Sequence, residues 1–172
     1  MPTVIRCYVT WITRCNYLLF LVAAALMVII VPVMLYEVTS RYVFNAPTVW
    51  GMELALLLFG PYFLLGGPYL LHIKGHVNLD VVRQRLPLAQ GRWLDMFNQI
   101  IIMLFCVILF YYAWPLAVQA LEFRETSFSA WNPPIWPFKF TIPLAVVLLG
   151  AQSLAEFLRI FFRDPDYYGS PL

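Results

Sequence analysis

The chain has 172 residues, of which 62% are hydrophobic, 17% aromatic and only 12% charged. Soluble domains run near about 45–50% apolar and about 25% charged, which excludes an ordinary soluble enzyme, a disordered chain and a nucleic-acid binder. The net charge of +2 offers no attraction for a polyanion, and the length suits one domain over residues 1–172.

Four windows contain no charged residue or histidine: Cys15–Tyr36, Leu54–Leu71, Met96–Leu121 and Phe140–Ala155. About 20 apolar residues in a helix cross a hydrocarbon layer of roughly 30 Å. The first three windows are long enough, and Leu158, Ile160, Phe161 and Phe162 extend the fourth past Glu156 to about residue 160. Lys139 and Arg159 would then snorkel to the two surfaces. Windows this long and unalternating are helices and not barrel strands. The expected fold is an all-α membrane protein with four spans and short interfacial segments in its loops.

The first window follows Arg6 and Arg14 but exceeds a signal-peptide core, and Ala23-Ala24-Ala25 lies in its middle instead of closing it. It is read as a retained span. Of the eleven Lys and Arg residues, eight fall at the N-terminus, the middle loop and the C-terminal tail, and three in the other two loops. The positive-inside bias then places both termini in the cytoplasm. Cys7, Cys15 and Cys106 form neither a disulfide framework nor a zinc spacing.

In the loop after the first span, Asn45-Ala46-Pro47-Thr48 is a turn or helix-start signal. Trp50 suits an interfacial anchor. Arg41 and Glu53 could pair there, but exposed pairs contribute little, and solvated ends are expected. The second span repeats Gly60-Pro61-Tyr62 as Gly67-Pro68-Tyr69, which sets both Gly-Pro pairs near one face. The prolines free the carbonyls of Leu57 and Leu64, and Gly60, Gly66 and Gly67 admit a close backbone. Packing within the unit and a groove for another protein's helix remain equal alternatives.

In the middle loop, His72, His76 and Asp80 have helical i, i+4, i+8 spacing, yet Gly75 weakens that helix and no further metal ligand is evident. Lys74, Arg83 and Arg85 are expected at anionic headgroups, with Val77, Leu79, Val81 and Val82 dipping into the interface. The last loop, Trp131-Asn-Pro133-Pro134-Ile-Trp136-Pro137, is stiff and aromatic. Trp131 and Trp136 suit the outer belt, although such a loop could also dock a partner.

Coupled transporters carry ionisable groups inside the membrane, and none lies in the four windows; Glu37, Glu53, Glu122 and Glu156 sit at span ends. No inverted repeat, haem-binding histidine pair, phosphate loop or hydrolase motif is present. The residues alone describe a non-catalytic four-helix membrane subunit without cofactor or metal. A stand-alone four-helix protein, either a homodimeric small transporter or an assembly factor, is the alternative.

Three runs together carry a family resemblance: Arg41-Tyr-Val-Phe-Asn-Ala-Pro47-Thr-Val-Trp50-Gly-Met-Glu53, then Gly66-Gly67 through His76-Val-Asn-Leu-Asp80, then Pro134-Ile-Trp136-Pro137 with Ile142-Pro143-Leu144. Their order and spacing, across roughly Cys15 to Arg163, resemble the small (DctQ-like) membrane subunit of tripartite ATP-independent periplasmic, or TRAP, transporters. The resemblance implies a bacterial or archaeal inner-membrane protein that braces a large membrane subunit. That larger subunit would carry the ion and substrate sites and move as an elevator. A periplasmic binding protein would deliver an organic solute, often a carboxylate. Arg41, Trp50, Glu53, Gly60, Gly66, Gly67, His76, Asp80, Trp131, Pro134 and Trp136 are the residues expected to serve partner contacts or structure. The outer loops around Trp50 and Trp131–Pro137 are expected to help seat the binding protein.

Overall fold

The computed structural model describes residues 2–73 and 88–162. Helix α1 runs Thr3–Tyr42, α2 Gly51–His72, α3 Leu88–Glu122, the short α4 Trp136–Lys139 and α5 Thr141–Phe161. The four long helices are each long and apolar enough to cross a membrane. Without water, backbone N–H and C=O groups must be satisfied within the segment, so long apolar windows become helices whatever their β-branched content.

Helix α1 begins twelve residues before the apolar window, because Arg6 and Arg14 are themselves good helix formers. It passes through Pro32 and ends where Asn45 adopts a positive φ of 50°. Asparagine tolerates that conformation better than most residues. Helix α3 ends in a Schellman motif built around Arg124, whose φ is 46°. There the Glu125 N–H donates to the Ala120 carbonyl and the Arg124 N–H to that of Leu121. Pro143 lies in the first turn of α5, where a missing N–H leaves no helical bond unmade.

Helices α1 and α2 form an intimate pair. Tyr69 packs on Tyr17 and Phe20 near one end, and Trp50 stacks on Tyr36 near the other. Helix α5 touches α1, α2, α3 and α4, whereas the principal contacts of α3 are with α5 and α4. Thus α5 is the hub, and α3 is attached to the bundle mainly through it. Buried contacts use small residues, including Ala23, Ala55, Ala117, Ala120, Ala145 and Ala155. Small side chains let helix backbones approach where lipid removes the hydrophobic drive for association. Exposed Phe97, Ile101, Leu104, Phe105 and Ile108 on α3 would be anomalous in water, whereas an apolar surface is ordinary on a helix long and apolar enough to cross a membrane.

Candidate functional site

The polar groups of this apolar bundle gather at its two ends. At the end bearing the termini, α5 carries Gln152, Ser153 and Glu156, all buried, with Glu156 only 2% exposed. Glu156 Oε1 accepts from His72 Nδ1 of α2 at 2.6 Å and from Gln152 Nε2 at 2.9 Å. Gln152 turns its amide nitrogen, a donor, toward Glu156 and its oxygen, an acceptor, toward α1. That oxygen accepts from Asn16 Nδ2 at 2.8 Å. Arg159 Nη1 lies 3.5 Å from the other oxygen of Glu156.

Further side chains complete this end. Tyr8 donates to the Ala151 carbonyl at 2.9 Å. The Ser153 hydroxyl lies 2.8 Å from the side-chain oxygen of Gln99 on α3. Arg92 donates to the Phe161 carbonyl at 2.7 Å, satisfying one of the last carbonyls of α5. At this one end α5 is therefore hydrogen-bonded to all three other spans.

At the opposite end, Glu37 is 2% exposed. Its carboxylate accepts from Arg41 one turn along α1, and from the hydroxyl and the N–H of Thr48. The Thr48 oxygen in turn accepts from the Gly51 N–H at 3.1 Å, the first donor of α2. The N-cap position is Trp50, whose side chain makes no capping bond. Thr48 therefore reaches the first turn of α2 from two residues upstream and is not its N-cap. A Cβ on Gly51 would lie 2.8 Å from Thr48 Oγ1 and 2.9 Å from Glu37 Oε2, so any larger residue must displace one of these side chains.

Glu37 and Glu156 stand toward the span ends, and burial there adds what their position did not show: both are turned into the bundle and hydrogen-bonded. Arg159 does not snorkel, since its side chain is 13% exposed beside Glu156. Arg41 bonds Glu37 and not Glu53, because a residue one turn away on the same helix is nearer than one across a loop. Glu53 instead accepts from the Ser129 hydroxyl at 2.6 Å.

The remaining sequence-selected residues divide by face. Pro61, Pro68 and Gly66 are buried, Gly66 opposite Phe20 of α1, so one side of the Gly-Pro repeat packs within the unit. Gly60 is exposed, and a Cβ at Gly60 or Gly67 would meet nothing within 4 Å. Trp50 is half-buried on Tyr36, Trp131 is exposed, Pro134 bridges to Thr126, and Trp136 opens α4. His76 and Asp80, and the basic residues between Lys74 and Arg85, lie outside the described residues. Among the described residues no group of His, Cys, Asp and Glu could hold a metal ion. His72, the described member of the His72, His76, Asp80 spacing, is engaged with Glu156.

Charge marking missed Asn16, Gln99, Gln152 and Gly51. The amides carry no charge, and the need for Gly51 arises from a side chain fourteen positions earlier. The available signal was the amide pair itself, since Asn and Gln inside apolar spans are rare unless they hydrogen-bond across helices.

Comparison with known proteins agrees with this membrane architecture. A search of curated proteins found no match. Residues 30–163 match the family described as tripartite ATP-independent periplasmic transporters, DctQ component. That match covers well over half of the chain, including Glu37 and Arg41 near the C-terminal end of α1 and all of α2, α3 and α5. The chain belongs to the DctQ component family of tripartite ATP-independent periplasmic transporters, as a multi-pass membrane protein.

Proposed function

We propose that this chain is the small, non-catalytic subunit that braces the large membrane subunit of a TRAP transporter. The large subunit would perform ion-coupled uptake of an organic solute, probed first with carboxylates, delivered by a periplasmic binding protein. The observation that carries this reading is how the polar side chains are used. Glu156, His72, Gln152 and Asn16 bind one another, as do Glu37, Arg41 and Thr48. The four neutral windows contain no Asp, Glu, Lys, Arg or His that could bind an ion in transit. An elevator needs one part fixed in lipid while another slides, and helices anchored by interfacial aromatic and basic residues resist such movement.

Gly60 and Gly67 provide the test, because an added Cβ at either position has no heavy atom within 4 Å. Gentle purification should recover the subunit with a large polytopic partner. Replacing Gly60 and Gly67 with leucine should reduce that recovery several-fold while leaving the subunit itself folded. Recovery of a lone homodimer would overturn the reading, and unchanged recovery of the variant would remove this face from the interface.

The proposed setting is a bacterial or archaeal inner membrane with both termini in the cytoplasm, supported by the eight-to-three distribution of Lys and Arg. Cys7 is exposed near the N-terminus. In intact cells it should resist an impermeant thiol reagent and react only after the membrane is opened; labelling from outside would reverse the orientation.

A further inference from the structure

Phe128 has the highest fractional exposure of the large apolar side chains among the described residues, at 90%. It also holds a positive φ of 53°, a backbone conformation that bulky residues rarely adopt. It sits at the tip of the segment 123–135 between α3 and α4. This segment is an ordered hairpin-like loop. The Ser127 N–H donates to the Pro133 carbonyl at 3.1 Å, and the Ile135 N–H to that of Glu125 at 2.9 Å. The Phe128 N–H donates to Asn132 Oδ1 at 3.1 Å, and the Asn132 N–H to Ser129 Oγ at 2.9 Å. Pro133 and Pro134 have no N–H to satisfy. The backbone at the tip can therefore enter a poorly hydrated layer without stranding these donors.

The loop's depth follows from one contact. Ser129 donates to Glu53 in the first turn of α2, two residues beyond Gly51, which itself adjoins Glu37. Asn16 and Glu37, which mark the two polar ends, are 21 residues apart on α1, or about 31 Å at 1.5 Å per residue. That distance matches a hydrocarbon layer of roughly 30 Å. The Phe128 tip is thus anchored at the edge of the apolar layer. Thr126–Phe138 contains no charged residue in thirteen positions, and exposed Phe123 and Trp131 flank the tip. A water-facing docking surface has a polar rim, whereas neutral aromatic residues are the composition of the headgroup belt.

We infer that the 123–135 loop is an interfacial wedge, with Phe128 seated among the headgroups and upper acyl chains of phospholipids. The inference rests on the four spans and is independent of the transporter reading. The benzophenone analogue of phenylalanine, placed at position 128 of the full chain in native membranes, should photocrosslink to give a mass increase of one phospholipid. A protein adduct would show a partner or second copy on this surface, and absence of any adduct would show water; either overturns the wedge. As a second measurement, Phe128→Trp in vesicles brominated at the upper acyl positions should lose most of the fluorescence it adds to the native tryptophans. An added signal that bromine leaves unquenched would also overturn the inference.

Discussion

Replacing Gln152 with leucine is expected to lower the unfolding free energy in detergent by about 2–4 kcal/mol, with no change in helix content. Interhelical hydrogen bonds in membranes average about 0.6 and reach about 1.7 kcal/mol, so the lost bonds alone are too small. The larger share comes from leaving Asn16 buried without its partner, a penalty of about 1–3 kcal/mol. Asn16 is fully buried, and its Oδ1 already has no donor among the described residues. Replacing Asn16 and Gln152 together with leucine should therefore cost about 1–2 kcal/mol less than the two single changes summed. Strictly additive costs in a chemical-denaturation cycle would show that Gln152 does not link α1 to Glu156.

The second large effect concerns Gly51. Alanine there brings a methyl carbon within 2.8–3.1 Å of Thr48 Oγ1, Glu37 Oε2 and Glu37 Cβ. Overpacking of this kind typically destabilises by about 1–3 kcal/mol. Gly60→Ala is the matched control, since its methyl meets nothing within 4 Å and alanine favours a helix by about 1 kcal/mol over glycine. Thermal unfolding should place Gly51→Ala well below the parent chain and Gly60→Ala at or above it. Equal midpoints for the two variants would mean that the Glu37 pocket can widen freely.

These two sites show which parts of the structure the sequence carried. The spans were readable because the bilayer imposes a length and permits a single local conformation over it. The ends of α1 and α3 were less readable, since Arg6, Arg14, Arg92 and Asp95 stop an apolar window without stopping a helix. Glu37 and Arg41 are four residues apart on one helix, which makes them a helical pair, whereas Glu53 lies across the loop from Arg41. Burial of Glu156 was hidden for another reason. Whether a carboxylate one turn from a helix end faces water or the bundle depends on rotation about the helix axis. For α5 that rotation is fixed by partners on α2 and α1, 84 and 136 positions away from the residues they meet. The glycine repeat was half readable: it identified a special face but not that Gly66 and the prolines turn inward while Gly60 turns out.

The two polar ends also have a mechanical consequence. Apolar contacts between helices are non-directional, and one helix can slip past another from one set of ridges to the next while keeping most of them. Directional bonds remove that freedom. Helix α1 is pinned to α5 through Asn16 and to the start of α2 through Glu37 and Thr48, with about 31 Å of rise between the pins. Axial shear of α1 must break both pins at once, and α5 resists shear against α2 and α3 through His72, Gln99 and Arg92. The bundle therefore yields to a load along the membrane normal as one body, by tilting as a whole before its helices slide.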